Sequence, residues 1–498
     1  MLFLGIEISQ SGTRIVALDL EAARIVAEAS CPHPWIEGLP AEYREQDPTA
    51  WIAAVDRAVR DCLTSLGDGK ADVAAMSVAG PMRGMVALDA ENRIVRPAKM
   101  AGDMSTRRQA EEIARAFGGA PGLIELTGNP LGTESAAAEC LWLKQHEPYH
   151  FQRTTCLLSA QDFIAYWLTG ERATEPGSAS ASGFFDVRAR AWCGELIDFI
   201  DPGLRELLPQ VASPLEPRGT LRPELAHAWG VSEHLLVGAG SCAPMLAVAA
   251  AGAVDGGSVT VDLGSVGITA GVGDAPLIDL RGEIAGLCDA TGHWLAMAET
   301  SNAVAAPELI RRHYGWSSEQ FDAAASSVPP GADGLLFLPY LTGEKSPRLP
   351  DGCGVLHGIT LDNFTPAHLA RAAAEGVALG IGYGLSRLRD MGFEPEEIRV
   401  TGSGADGMMR QLLADTCGVA VTSPATRQGA AVGAAIQAAV AFFHHSGEAI
   451  GFGEMVKYLV TEDQAARREP DMARHQTYQQ LMSRQQYLAE TLHSGGFL

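Results

Sequence analysis

The chain has 498 residues, with 37 Lys+Arg against 60 Asp+Glu, a formal net charge of −23 and 47% hydrophobic positions. That length suggests two or three domains, each able to bury its own core, and the apolar share excludes a disordered chain or a fibrous repeat. The acidic balance argues against nucleic acid as a partner, because a phosphate backbone needs a basic face.

The nine cysteines are widely spaced, odd in number and free of any CxxC, which reads as reduced core thiols. The opening MLFLGIEISQ reaches Glu7 before a signal-peptide core can form, and the longest apolar tract, 430–443, carries Gln437 and falls short of a membrane span. The expectation is a cytoplasmic protein with no membrane partner.

In chain order, residues 2–8, 14–20 and 24–29 read as β-strands, with hairpin turns at Ser11-Gly12 and 21–23. A helix is predicted over 51–66, opened by Pro48-Thr49, and a strand over 73–78. The segment 141–145 reads as a helix end followed by a polar loop. A similar order restarts with strands at 259–263, 268–272 and 294–297. It continues with a helix over 366–391, a strand over 398–401 and a helix over 408–417. The charged, Gln-rich stretch 465–493 is expected to form a surface helix packed back on the body. The Pro-rich stretch before Val237 suggests a boundary near 235–245, hence domains 1–236 and 237–462 with a C-terminal helix in 463–498.

One internal correspondence stands out. Ile6-Glu7-Ile8-Ser9-Gln10-Ser11-Gly12 and Val261-Asp262-Leu263-Gly264-Ser265-Val266-Gly267 share a strand end, an acid and a small polar turn closing on Gly. The acids lie 255 residues apart, about half the chain. A turn of small residues lets backbone N–H groups approach an anion, and an acid at the strand end can hold Mg²⁺ through water. The pattern predicts a duplicated domain whose turns face one another across a cleft, with ordinary hairpins as the bland alternative.

Two formal motif matches compete. Gly402-Ser403-Gly404-Ala405-Asp406-Gly407 fits GxGxxG between a strand and a helix, but 418–428 contains no acid to bind a ribose. An adenine- or ribose-side turn is the better reading. His146-Glu147-Pro148-Tyr149-His150 fits HExxH, yet Pro148 would break the single helix that zinc chemistry requires.

Taken together, the motifs resemble the FGGY carbohydrate kinases and, within them, the xylulokinases. Leu4-Gly5-Ile6-Glu7 resembles the opening phosphate hairpin, Glu45-Gln46-Asp47-Pro48 the family's EQDP, and Ala79–Gly84 occupies the place of SGQMHG. Residues 338–347, LPYLTGEKSP, are similar to PYLSGERTP, and Gly402-Ser403-Gly404-Ala405 resembles the adenosine-side GGGA, followed by the GAAVGAA helix start at 429–435. The resemblance implies an α/β fold of two actin-like, ribonuclease-H-like domains with a central cleft. These would close over ATP-Mg²⁺ and a sugar, with a homodimer left open.

Several chemistry positions depart from the family pattern. Ala243 stands where the catalytic Asp of GGGDN is expected, Glu7-Ile8-Ser9-Gln10 replaces Asp-x-Gly-Thr, Pro81 and Arg83 replace Gln and His, and Ala101-Gly102-Asp103 replaces WND. The resemblance then implies roles by position. Glu7 would orient a metal and serve catalysis, with Asp262 or Asp103 as a relocated base; Asp262 could instead merely cap its turn. Ser11, Gly12, Gly264 and Ser265 would hold phosphate, and Gly402, Gly404 and Ala405 would flank adenosine. Met82, Arg83 and Asp103 would line the sugar pocket; Arg83 could instead pair with a neighbouring carboxylate. The implied activity is transfer of the ATP γ-phosphate to a hydroxyl of a pentulose or similar sugar. The alternative is a catalytically impaired homologue that binds nucleotide or sugar as a sensor, because Ala243 cannot accept a proton.

Overall fold

The computed structural model describes residues 1–264, 266–405, 407–425 and 429–498. Two sheets are built to one plan. The first contains β1 (Leu2–Ile8), β2 (Gly12–Asp19), β3 (Arg24–Pro32), β4 (Val73–Gly80) and β5 (Leu236–Val237), ordered β3-β2-β1-β4-β5. The second contains β6 (Val259–Leu263), β7 (Gly267–Gly273), β8 (Trp294–Thr300), β9 (Glu397–Thr401) and β10 (Ala420–Thr422), ordered β8-β7-β6-β9-β10. In each, an antiparallel three-strand meander is extended by parallel strands on its first member. This is the duplication that the paired acid-and-turn segments predict. The division expected between 236 and 237 falls inside β5, and Ser241–Cys242 still pairs with β4.

Between the sheets lie two short-side-chained helices, α2 (Ala243–Ala250) and α5 (Ala430–His445), and one continuous core joins them to both sheets. Within that core, Phe3 and Val16 of the first sheet and Ala270, Val272 and Leu295 of the second flank the same helices. Ala and Gly dominate α5 because the backbones approach closely. A Cβ on Gly5 of β1 would lie 1.7 Å from the Ala431 carbonyl oxygen, and one on Gly433 would lie 2.1 Å from that of Leu246 in α2. Gln437, fully buried at the centre of α5, receives a hydrogen bond from Ser77 Oγ at 2.7 Å and donates to the carbonyls of Pro214 and Gly240. The apolar tract 430–443 is thus the wedge between the lobes. Among the described residues no helix is long and apolar enough to cross a membrane.

The helix α1 (Pro48–Leu66) begins earlier than its periodicity suggests, because Asp47 accepts the Thr49 N–H as N-cap and Pro48 fits the first turn. The helices α3 (Pro366–Asp390) and α4 (Met409–Cys417) fall where the sequence places them. Two expectations are corrected. The C-terminal helix, α6 (Met472–Ser494), starts seven residues later than position 465, where Asp471 caps it after Pro470; Arg468 instead bridges to Val421. The polar loop after residue 145 is a helix break, since Ala136–His146 ends at Glu147 and Pro148–Arg153 starts a new turn. His146 stacks on Trp142 while His150 bonds Glu147, so the HExxH match builds no shared helical face.

Gly5→Ala should force α5 away from β1 at a cost of about 1–3 kcal/mol or more. Urea unfolding should show a lowered midpoint with an unchanged slope.

Candidate active site

The two acids occupy equivalent registers. Glu7, one residue before the end of β1, pairs with Arg14 on β2 and Ala79 on β4; Asp262, one residue before the end of β6, pairs with Ile268 on β7 and Thr401 on β9. The charge of Asp262 acts on Glu7, which brings the two strand ends near one another across the gap between the sheets. Burial raises the pKa of Glu7, and the negative charge of Asp262 adds to that rise, against the opposing effects of the Ala431 N–H and Arg14. Burial likewise raises that of Asp262, although Thr401 Oγ1 donates to its Oδ1 at 3.1 Å.

The turns beyond these acids differ. In the first, Ser9 Oγ accepts the N–H groups of Ser11 and Gly12 at 3.3 Å each and donates to the Gly12 carbonyl at 2.9 Å. The donors expected to hold phosphate at Ser11 and Gly12 are therefore already engaged, a consequence of Ser9. Gln10 is also tied down, donating to the Ala101 carbonyl at 3.1 Å. The second turn is open at Gly264, where an added Cβ would meet nothing closer than 3.5 Å. Ser265, named as its partner in phosphate binding, lies outside the described residues.

The Gly-rich turn after β9 forms the floor beneath. Gly402 has φ +93°, and a Cβ there would stand 2.6 Å from Asp262 Oδ1, so neither its backbone nor its surroundings admit a side chain. Gly404 N–H donates to the Leu263 carbonyl at 2.9 Å, and Ala405 N–H to that of Gly402 at 3.3 Å. These three residues thus sit against the second turn, as their assignment to the nucleotide side requires.

A cavity of about 450 Å³ has walls from both halves of the chain, with neither acid in its lining. Met82 and Arg83 line one wall, and Glu299, Ser301, Glu344 and Lys345 line the other. Arg83 Nη1 donates to the Ala181 carbonyl at 2.8 Å, and its Nε stands 4.0 Å from Glu134 Oε2, so the pairing with a neighbouring carboxylate is realised. Glu134 in turn accepts the Gly102 N–H. Asp103, expected in the sugar pocket, is 2% exposed and committed elsewhere. It accepts from Arg44 N at 2.8 Å and Ser105 N at 3.0 Å, with the Lys99 ammonium 3.5 Å away.

Glu134 and Glu299 carried no sequence signal. Glu344 lay within the most specific motif, but only the fold shows that it reaches the cavity. Its Oε1 accepts the N–H groups of Ser301 at 2.7 Å and Lys345 at 2.8 Å. Burial pushes its pKa up to about 7.

Glu7 and Asp262, two half-buried carboxyls of which one raises the other's pKa, are a hard-oxygen donor pair suited to a divalent metal. Among the described residues no group of three His, Cys, Asp or Glu gathers as a metal site. An ion there would keep much of its shell from water and phosphate, as is usual for Mg²⁺.

Comparison with known proteins agrees with this geometry. Residues 2–248 match the N-terminal domain, and residues 263–442 the C-terminal domain, of the FGGY family of carbohydrate kinases. The chain belongs to that family. It is 32% identical to a xylulose kinase of Streptomyces coelicolor, over 88% of this chain and 87% of that one. It is 29% identical to a xylulose kinase of Haemophilus influenzae, over 88% and 90%. The structure of xylulose kinase from Rhodospirillum rubrum superposes with a TM-score of 0.89 at 26% identity, covering 99% of each chain. The fold is the two-domain, actin-like arrangement that the motifs imply, and the likenesses support an ATP-dependent sugar kinase over a catalytically impaired sensor.

Because Glu7 and Asp262 ionise at higher pH in the fold than in the unfolded chain, each subtracts stability as pH rises through and above the ordinary carboxyl range. Asp262→Asn should therefore raise the thermal midpoint at pH 7, with the gain vanishing towards about pH 4. Calorimetric affinity for a divalent cation should fall about 10–100-fold.

Proposed function

We propose that this protein transfers the γ-phosphate of ATP, with Mg²⁺ as the divalent ion, to a hydroxyl of a pentulose or a similar sugar. The observation that carries the reading is the pair of acids in matched registers, close enough for one to act on the other's charge, in a fold with a cavity of about 450 Å³ lined by both halves of the chain. Such a volume suits a small ligand with convergent polar groups.

Phosphoryl transfer depends mainly on positioning and charge stabilisation, which these residues can supply. Glu7 and Asp262 would hold the metal, which when bound offsets phosphate charge. Gly264 would admit the phosphate tail, while Gly402, Gly404 and Ala405 support that turn from below. Met82 and Arg83 would bound the sugar, with Arg83 held by Glu134 so that its guanidinium presents a fixed edge. Asp103 fixes the Lys99–Ser105 segment from inside and acts at one remove. With its first hairpin closed by Ser9, the grip on phosphate falls mainly to the second turn. The relatives named as xylulose kinases favour a pentulose as acceptor. An ATP-dependent reaction and an acidic chain with widely spaced thiols fit a cytoplasmic setting.

Incubation with ATP, Mg²⁺ and a panel of pentuloses and polyols should release ADP only when a sugar is present. Arg83→Ala should raise the KM for that sugar about tenfold, the scale of a lost charged hydrogen bond, with the KM for ATP unchanged. ATP binding without turnover for every sugar would overturn the reading.

A further inference from the structure

In this chain the position where the family pattern expects a proton acceptor carries Ala243, the first residue of α2, whose methyl group can accept nothing. Glu175, near that position, is filled by the Ser241 and Ser178 hydroxyls and the N–H groups of Gly177 and Ser178, so the choice falls to Asp262 and the acids of the cavity. Asp262 is held by Thr401, packed against Gly402 and turned towards Glu7, on the phosphate side of the gap. Of the acids lining the sugar-sized cavity, Glu134 is engaged by Gly102 N–H and Arg83, and Glu299 by the Lys345 ammonium. Glu283 receives the Tyr383 hydroxyl at 2.6 Å and Arg387 Nε at 3.1 Å.

Glu344 differs from all of these. Its residue is 2% exposed, its Oε1 is fixed by two backbone N–H groups, and its Oε2 completes no hydrogen bond of normal geometry among the described residues, although the Ser346 N–H and the Ser301 hydroxyl also oppose the rise of its pKa. A buried carboxylate oxygen without a donor is costly, and in a native fold it asks for a partner. Its place in the register is also telling. The Ser301 N–H that holds Glu344 directly follows Thr300, whose backbone pairs with Gly267, where the second phosphate turn re-enters its strand. The carboxyl is therefore tied to the residue that follows the partner of Gly267, on the wall of the cavity assigned to the sugar.

We propose that Glu344, through Oε2, is the group that accepts the proton of the attacking sugar hydroxyl, in place of the acid absent at Ala243. The inference rests on the kinase reading above. In the step, the hydroxyl oxygen forms a bond to the γ-phosphorus of ATP. The bond from that phosphorus to the ADP oxygen breaks, its electron pair leaving with ADP. The hydroxyl proton passes to Glu344 and afterwards to solvent. The charged and titratable groups around Glu344 are Tyr340, Lys345 and Arg348 on its own segment, Glu299 on β8, Glu283 on the adjoining turn, and Arg83 with Glu134 across the cavity. Burial places its ionisation at about 7, so the base form is lost as pH falls below neutrality.

The test is the pH profile of kcat for the parent, Glu344→Gln and Glu344→Asp, with ATP, Mg²⁺ and the best sugar of the panel. The parent should show an acid limb near pH 7. Glu344→Gln, which keeps a side-chain oxygen for the Ser301 and Lys345 N–H groups, should lose that limb and about 10²–10⁴-fold in kcat, with the KM for ATP unchanged. Glu344→Asp, which retains a carboxyl, should keep the limb at reduced kcat, and it decides the matter if the Gln variant fails to fold. Turnover in the parent with an unaltered limb in Glu344→Gln, or a limb missing from an active Glu344→Asp, overturns the assignment and leaves the kinase reading standing. No turnover in the parent with any sugar overturns both.

Discussion

Everything at the gap depends on how closely α5 lies against β1. The Gly5 backbone packs where any side chain would collide with the Ala431 carbonyl, and Gly433 does the same against Leu246 of α2. Interiors are packed too densely to absorb such a collision without displacement. The small residues of α5 thus set the spacing between the two sheets, and the sheets carry Glu7 and Asp262 at their inner strand ends. The contact also has an electrostatic side, because the Ala431 N–H near the start of α5 is directed at the Glu7 carboxylate. An amide from a helix N-terminus favours a negative charge there. A sequence feature that reads as mere apolarity, the tract 430–443, is therefore the element that joins packing to chemistry.

The departures from the family pattern form a connected set. Glu7 is followed by Ser9, which closes the first turn upon itself, and by Gln10, which holds the Ala101 carbonyl. At Gly102 the backbone N–H is taken by Glu134, which also pairs with Arg83, itself bonded to the Ala181 carbonyl. One wall of the cavity has thus been rebuilt around new hydrogen bonds. The opposite wall keeps the motif at 338–347, and with it a carboxyl one of whose oxygens completes no hydrogen bond among the described residues.

Much of this could be read from the residues alone. The two acid-and-turn segments announced the duplication, and strand order and register place their acids at matching positions. Periodicity located α1, α3 and α4 to within a few residues, with Asp47 and Pro48 explaining the one earlier start. What stayed hidden was non-local. Asp103 was legible as an acid in a motif, but its burial beneath Lys99 and Arg44 arises from the packing of the 99–105 segment against residue 44. Ser11 and Gly12 looked like free donors because a side chain two positions upstream gives no sign that it will fold back on them. Glu344 was visible as a letter in a motif, while the hold on its Oε1 comes from Ser301, just after β8 and more than forty residues away.

The central claim is that Glu7 and Asp262, contributed by different halves of the chain, act as one site for a metal-bound nucleotide. A double-mutant cycle on the calorimetric affinity for ATP with Mg²⁺, using Glu7→Gln, Asp262→Asn and the double variant, tests it most directly. The account predicts strong coupling, with the double variant binding little worse than either single variant. Free-energy losses that simply add would show that the two residues act independently and would contradict it.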